Sequence, residues 1–143
     1  MAISNAKLKK EVLGRFKHTQ VIFLSTCSGK KPKVRPVTLI YFKKKCWVAT
    51  SAKDAKIKQI KKNKNIEFCL LLKTKKYAGY IRGSGKAIII KDAKTRKTLA
   101  ENIPFFKQYF KDASDPGFAL LRLDIKEIEY IKPGKMGAMK LKF

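Results

Sequence analysis

Acidic side chains are scarce in this chain: 10 Asp and Glu stand against 35 Lys and Arg. Histidine is represented by His18 alone, and the three cysteines, Cys27, Cys46 and Cys69, lie far apart with no CxxC pair. A structural zinc site needs clustered Cys and His ligands, so these shortages exclude one and leave free buried thiols as the expected state; no metal is expected. No apolar run approaches the roughly 18 residues of a membrane-spanning helix. The N-terminal stretch MAISNAKLKKEVLGRF also lacks the continuous apolar segment of a signal peptide. A protein with no membrane partner, retained in the cytoplasm, is expected. No internal repeat is present.

What the chain has in abundance is lysine. A net charge of +25 attracts nucleic acid, anionic lipid or small phosphorylated ligands over long range at low salt. The lysines are spread in ones, twos and threes, whereas sequence-reading DNA modules gather arginine and polar side chains on one recognition element. A solvated basic surface is therefore favoured over a nucleic-acid partner. With 143 residues, 45% of them hydrophobic, the chain is long enough for one domain with a real core, spanning 1–143.

Periodicity places the elements. Leu8, Val12, Leu13 and Phe16 recur at near-helical spacing over 6–17, so an N-terminal helix is expected within 1–18, with His18 at its C-terminal end. QVIFLSTC at 20–27 is short, apolar and β-branched, and the SGKKP after it supplies turn residues. KVRPVTLIYF at 33–42 continues as a second strand. Its Pro36 cannot donate to a ladder, which puts that part of the strand at an edge, at a bulge, or against something other than a strand. Lysines 43–45 turn the chain into CWVATS at 46–51, and KDAKIKQIKKN at 53–63 reads as a helix with a thin apolar face, capped by Thr50 or Ser51. IEFCLLLK at 66–73 reads as a strand buried on both faces. The stretch 77–90 is a longer strand bent at its glycines, and 118–131 a last one with clean alternation. Between them, 91–110 reads as two short helices joined at Pro104. The tail 133–143 is basic and glycine-rich, and is expected not to pack alone. Six strand candidates interrupted by helices argue for an α+β fold built on a six-stranded antiparallel barrel with short flanking helices.

The stretch from Lys33 to Asn65 gathers two adjacent strands and a helix start loaded with hydroxyls and cations. The first-turn N–H groups of a helix need an acceptor, and this combination is a candidate cradle for a phosphate.

The run from about Val21 to Ile131 resembles the FMN-binding split-barrel proteins related to pyridoxamine 5'-phosphate oxidase. The resemblance lies in strand order, in Arg-Pro-Val at the start of the second strand, and in the step from a strand through Thr-Ser to a lysine-bearing helix. It implies a split barrel and a homodimer with FMN at the subunit interface. Carried over, Arg35, Pro36, Val37 and Thr38 would border the flavin, with Arg35 aimed at the phosphate or ring carbonyls. Ala49, Thr50 and Ser51 would bind through main chain and hydroxyl, and Lys56 would meet the phosphate. Lys53 would replace the charge of an arginine that closer relatives of the oxidase carry where this chain has Ala55, and Tyr80 falls near the oxidase's glutamine. Ile40 stands where the oxidase has a flavin-facing lysine, and its long substrate-recognising C-terminal segment is missing, so pyridoxamine phosphate oxidation itself is not expected. Beside each assignment stands a plainer one: Arg35 as an exposed strand arginine, Lys56 as a surface lysine, Thr50 and Ser51 as helix caps only. Trp47 is expected in the core. Function then reads as a small FMN-dependent oxidoreductase with a small-molecule electron donor or acceptor. A flavin carrier or sensor, and a basic nucleic-acid-binding protein, are the alternatives.

Overall fold

The computed structural model of the protein describes residues 4–143, so the first three residues of the expected N-terminal segment lie outside the described residues. In chain order the elements are α1 (Asn5–Leu13), β1 (Thr19–Ser28), β2 (Lys31–Phe42), β3 (Lys45–Ser51), α2 (Ala55–Lys62), β4 (Asn65–Lys73), β5 (Ala78–Ile89), α3 (Ala93–Glu101), α4 (Phe106–Tyr109), β6 (Phe118–Ile131) and β7 (Met139–Lys142). The strands form one antiparallel 7-stranded sheet in the order β3-β2-β1-β4-β5-β6-β7, closed into a ring because β3 also pairs with β6. This is the expected α+β split barrel, with one strand added.

The added strand is the correction to the tail. β3 covers one edge of β6 only from Phe118 to Leu123, and β7 takes up the same edge from Glu127 to Tyr130. MKLK docks there because unpaired backbone groups need partners and Leu141 buries on the barrel end. β4 also differs from expectation. Its burial alternates strictly, with Ile66, Phe68, Leu70 and Leu72 inward and Glu67 and Leu71 exposed, because nothing covers its outer face. α1 ends at Leu13 with Gly14 as its C-cap, which leaves His18 in the connection to β1 and not on the helix; there His18 Nε2 donates to Asn102 O at 2.8 Å.

Two cores hold the fold. One fills the barrel with Ile22, Leu24, Leu39, Val48, Phe68, Ile81 and Leu121, sealed at its ends by Val12 of α1 and Ile57 and Ile60 of α2. The other lies outside the ring, where Ile40, Trp47, Phe118 and Leu120 pack against Leu99, Ile103 and Phe106 of the α3–α4 region. Trp47 is thus a core residue, its indole N–H donating to Phe42 O at 3.2 Å. Each such side chain contributes about 1.5–3 kcal/mol by leaving water. The register between β5 and β6 slips between Ser84 and Gly85, which face Glu127 and Ile125 and leave Lys126 of β6 as the extra residue of a bulge. A Cβ on Gly85 would lie 2.0 Å from Asp124 O, so only glycine fits.

Candidate functional site

The ring is split on one side. β3 pairs with β2 only from Lys45 to Trp47, against Ile40 to Phe42, and then swings away to pair with β6. From Lys31 to Leu39, β2 has β1 on one edge and no strand on the other. Pro36 sits in this open stretch, where its missing N–H costs nothing. The gap is a cleft of about 950 Å³.

Pro36, Val37 and Thr38 of β2 form one wall of the cleft, Ala49, Thr50 and Ser51 of β3 the other, and Lys53 and Lys56 its basic end. These expected residues are therefore brought together. Lys56 is only 8% exposed, and two of its three donors are engaged: its Nζ donates to Thr50 Oγ1 at 2.6 Å and to Asp54 Oδ2 at 2.7 Å. The Thr50 hydroxyl donates to the same carboxylate oxygen at 2.5 Å. Hydrogen bonds from Lys56 and then Thr50 hold the Asp54 carboxyl below the usual carboxylate range. Because that carboxylate turns to Lys56, Asp54 occupies the N-cap position of α2 without capping it, and neither Thr50 nor Ser51 caps it either. Ser51 Oγ instead accepts from Lys53 N, at 3.2 Å. In the first turn of α2, Ile57 N donates to Asp54 O at 3.1 Å, and the N–H groups of Ala55 and Lys56 have no capping side chain.

Two expected residues are not in the cleft. Arg35 projects from the other face of β2, where Nη1 donates to Leu24 O at 3.1 Å and Thr26 Oγ1 at 2.9 Å, and Nη2 to Gln59 Oε1 at 3.1 Å. Burial lowers its pKa and the nearby Asp54 charge opposes that shift. The guanidinium braces β2 against α2 and has few donors left for a ligand. Tyr80 lies on the outer face of the sheet, its hydroxyl donating to Glu129 Oε2 at 2.8 Å beside the Arg82 ion pairs with Glu67 and Glu129.

The far wall was not foreseen. Phe105, Tyr109 and Phe110, from α4 and its flanks, and the Asp115–Gly117 loop before β6 complete the cleft. Phe105 and Tyr109 are four apart in sequence and meet edge to face at 6.1 Å, yet Tyr109 stays 69% exposed. The signal available in the sequence is two aromatics four residues apart, on one face of a short helix. Asp115 is turned away from any ligand, accepting from the backbone N–H groups of Lys111 and Gly117 at 3.0 and 2.8 Å. The cleft thus has a basic, hydroxyl-rich end, an open strand edge along its length and an aromatic wall opposite. Among the described residues no His, Cys or Met lines it. Such a cleft has room and charge for a planar, anionic molecule.

A family model described as pyridoxamine 5'-phosphate oxidase matches residues 8–132. No curated protein matches the sequence. Among solved structures, General Stress Protein 26 from Bacillus anthracis str. Sterne has a TM-score of 0.76 at 24% identity, over 95% of this chain and 98% of its own. A nimc/nima family protein from Clostridium acetobutylicum reaches 0.75 at 22% identity, over 96% and 91%. A heme binding protein from Mycobacterium smegmatis reaches 0.73 at 13% identity, over 97% of this chain and 59% of that one. At these identities the likeness is one of fold.

Proposed function

Since the chain belongs to the pyridoxamine 5'-phosphate oxidase family, we propose that it is a cytoplasmic, single-domain FMN-binding flavoprotein, a small oxidoreductase passing hydride or electrons between a small-molecule donor and acceptor. The observation that carries this reading is the cleft at the split, where an anion-seeking end and an aromatic wall face each other across an unpaired strand edge. Its volume of about 950 Å³ lies within the span of small-molecule sites.

The donor set fits a flavin phosphate. Lys53, exposed and adjacent to the uncapped first turn of α2, supplies free charge, with the Ser51 hydroxyl beside it. Lys56 would be shared between the phosphate and Asp54. The backbone of Pro36, Val37 and Thr38 would meet the polar edge of the ring, and Tyr109 and Phe110 would cover a face and keep water from it. FMN, when bound, supplies the redox chemistry; the chain's task is to orient the ring and limit access to it. Arg35 becomes a positioning residue, holding the α2 lysines against β2. Haem fits less well. The customary His, Cys and Met ligands are missing from the lining, and His18 is committed to a backbone carbonyl.

The site also asks for a second copy. Val21 pairs with Thr38 and Phe23 with Pro36, so the outer face of β1 runs straight into the cleft wall. That face exposes Val21 at 62%, Phe23 at 40% and Leu71 at 64%, a patch that would be costly to leave in water. A homodimer seated on it would close the open side of the cleft, and Tyr80, on the same face, would then approach a cofactor from the partner subunit.

Purification tests the reading. The protein should carry a flavin spectrum, release FMN on denaturation as judged by mass, and bleach rapidly when mixed anaerobically with a reduced nicotinamide nucleotide. A Soret band, or protein that stays colourless after incubation with FMN, would contradict it; bound flavin that no nicotinamide reduces would point to a carrier or sensor.

A further inference from the structure

Between Glu11 and Asp54 the sequence contains no acidic residue, and none follows until Glu67. The fold concentrates part of this acid-free stretch at one place. Thr26 Oγ1 donates to Gln59 Oε1 at 2.5 Å, docking the β1–β2 hairpin on α2. A groove of about 510 Å³ lies beside this contact, floored by Cys27, Ser28 and Gly29 and bordered by Lys58 and Lys62. Lys33 pairs with the buried Thr26 and Lys31 with Ser28, so both lie on the hairpin face turned to α2, and Lys30 occupies the turn between the strands.

Lys30, Lys31, Lys33, Lys58 and Lys62 are all exposed, and among the described residues none makes an ion pair or a side-chain hydrogen bond. The acid next to them in sequence, Asp54, is spent on Lys56 and Thr50. Some cations elsewhere are neutralised by an acid, as Lys132 is by Glu11 and Arg122 by Asp124. Lys58 and Lys62, one turn apart on α2, repel each other, so this edge carries a strain that a bound polyanion relieves.

We propose that the groove between the β1–β2 hairpin and α2 docks the phosphate backbone of duplex nucleic acid without regard to sequence. Mobile ammonium groups suit phosphate oxygens as point charges. Base reading by a guanidinium fork has no agent here, because Arg35 is locked against Thr26 and Gln59. Single strands are held by stacking on aromatics, and the exposed Phe23, Tyr77 and Tyr109 lie outside the groove lining. Membrane docking would want an apolar side chain to insert, and the exposed Val34 nearby points from the opposite face of β2 to Lys33. This site is independent of the flavin cleft.

The test is a salt series of binding to a short mixed-sequence DNA duplex, using the full chain and two variants of equal charge. One carries Lys30→Gln, Lys31→Gln, Lys33→Gln, Lys58→Gln and Lys62→Gln. The other carries Lys43→Gln, Lys44→Gln, Lys73→Gln, Lys75→Gln and Lys76→Gln, at the opposite turns. The groove variant should lose at least ~10-fold in affinity at low salt, and its slope of log K against log salt should shrink by about 4, at roughly 0.9 per phosphate released. The control should change about threefold or less, and flavin content should be the same in both. Equal losses in the two variants would reduce the effect to diffuse charge and overturn the proposal. So would tighter groove-dependent binding to single strands, to phosphatidylserine vesicles or to a polyglutamate peptide. A Lys58→Gln, Lys62→Gln pair alone, expected to shrink the slope by about 2, keeps the test decisive if the larger variant folds poorly.

Discussion

Asp54 and Lys56 share one hydrogen-bonded contact but are buried unequally, with side chains 44% and 9% exposed. That inequality fixes what each substitution should do. Asp54→Asn leaves a buried ammonium with Thr50 and a neutral amide, and should lower stability by about 1–3 kcal/mol. Lys56→Met leaves a carboxylate free to turn into water, and should cost under about 1 kcal/mol. Denaturant titration of both variants measures the asymmetry. Because the folded-state pKa of Asp54 is depressed, its contribution is complete above its unfolded value of about 4 and is lost as pH falls through the folded one, so Asp54→Asn should flatten the acid limb of stability against pH. At this scale much was legible. The Thr-Ser step and the helix lysine mark where cations and hydroxyls meet, and those residues do converge. Arg35 differs from expectation: alternation puts it on the side of Leu39 and Val37, and whereas Val37 still borders the cleft, the Arg35 guanidinium is drawn to Thr26 and Gln59.

The turn joining β2 to β3 places Lys43 and Lys44 at φ of 51° and 61°, the left-handed region in which a β-carbon crowds the backbone. Two-residue hairpins of this kind favour Asn-Gly. Lys43→Asn with Lys44→Gly should raise stability by about 1–2 kcal/mol, seen as a melting temperature roughly 3–6 °C higher, with flavin binding unaffected. Elements with strong internal pattern were readable from the residues alone: β6 spans the stretch expected, and α3 and α4 part around Pro104. β7 was not, because a strand with Leu141 as its one buried side chain owes its existence to the edge of β6 that β3 leaves free. β4 misled for the reverse reason. Leu71 completes an apolar run in sequence, but its side chain emerges on an uncovered face.

For the whole molecule, that uncovered face links the architecture to the proposed site. The closure of β3 on β6 is what opens β2, and the opened strand carries the cleft on the same face as the exposed Val21 and Phe23. A charge placed in the middle of a dimer interface is unpaired and desolvated, so Phe23→Glu should shift the protein from dimer to monomer in sedimentation and weaken FMN retention at least ~10-fold, although Phe23 is not itself among the residues lining the cleft. A monomeric parent protein, or a monomeric variant holding FMN as tightly as the parent, would separate the cofactor site from dimerisation. The aromatic wall belongs to this scale too, because Phe105 and Tyr109 read as an ordinary amphipathic turn until the second core seats α4 beside the split.

In the proposed function the basic end of the cleft grips a phosphate attached to a flavin. Fluorescence-quenching titrations of FMN and of riboflavin, which lacks only that phosphate, into the apoprotein and its Lys53→Glu variant test it most directly. FMN should bind the parent at least ~10-fold more tightly than riboflavin does, a gap worth about 1.4 kcal/mol or more, and the variant should erase it. Equal affinity for the two flavins in the parent protein, or a preference for FMN that survives Lys53→Glu undiminished, would contradict it.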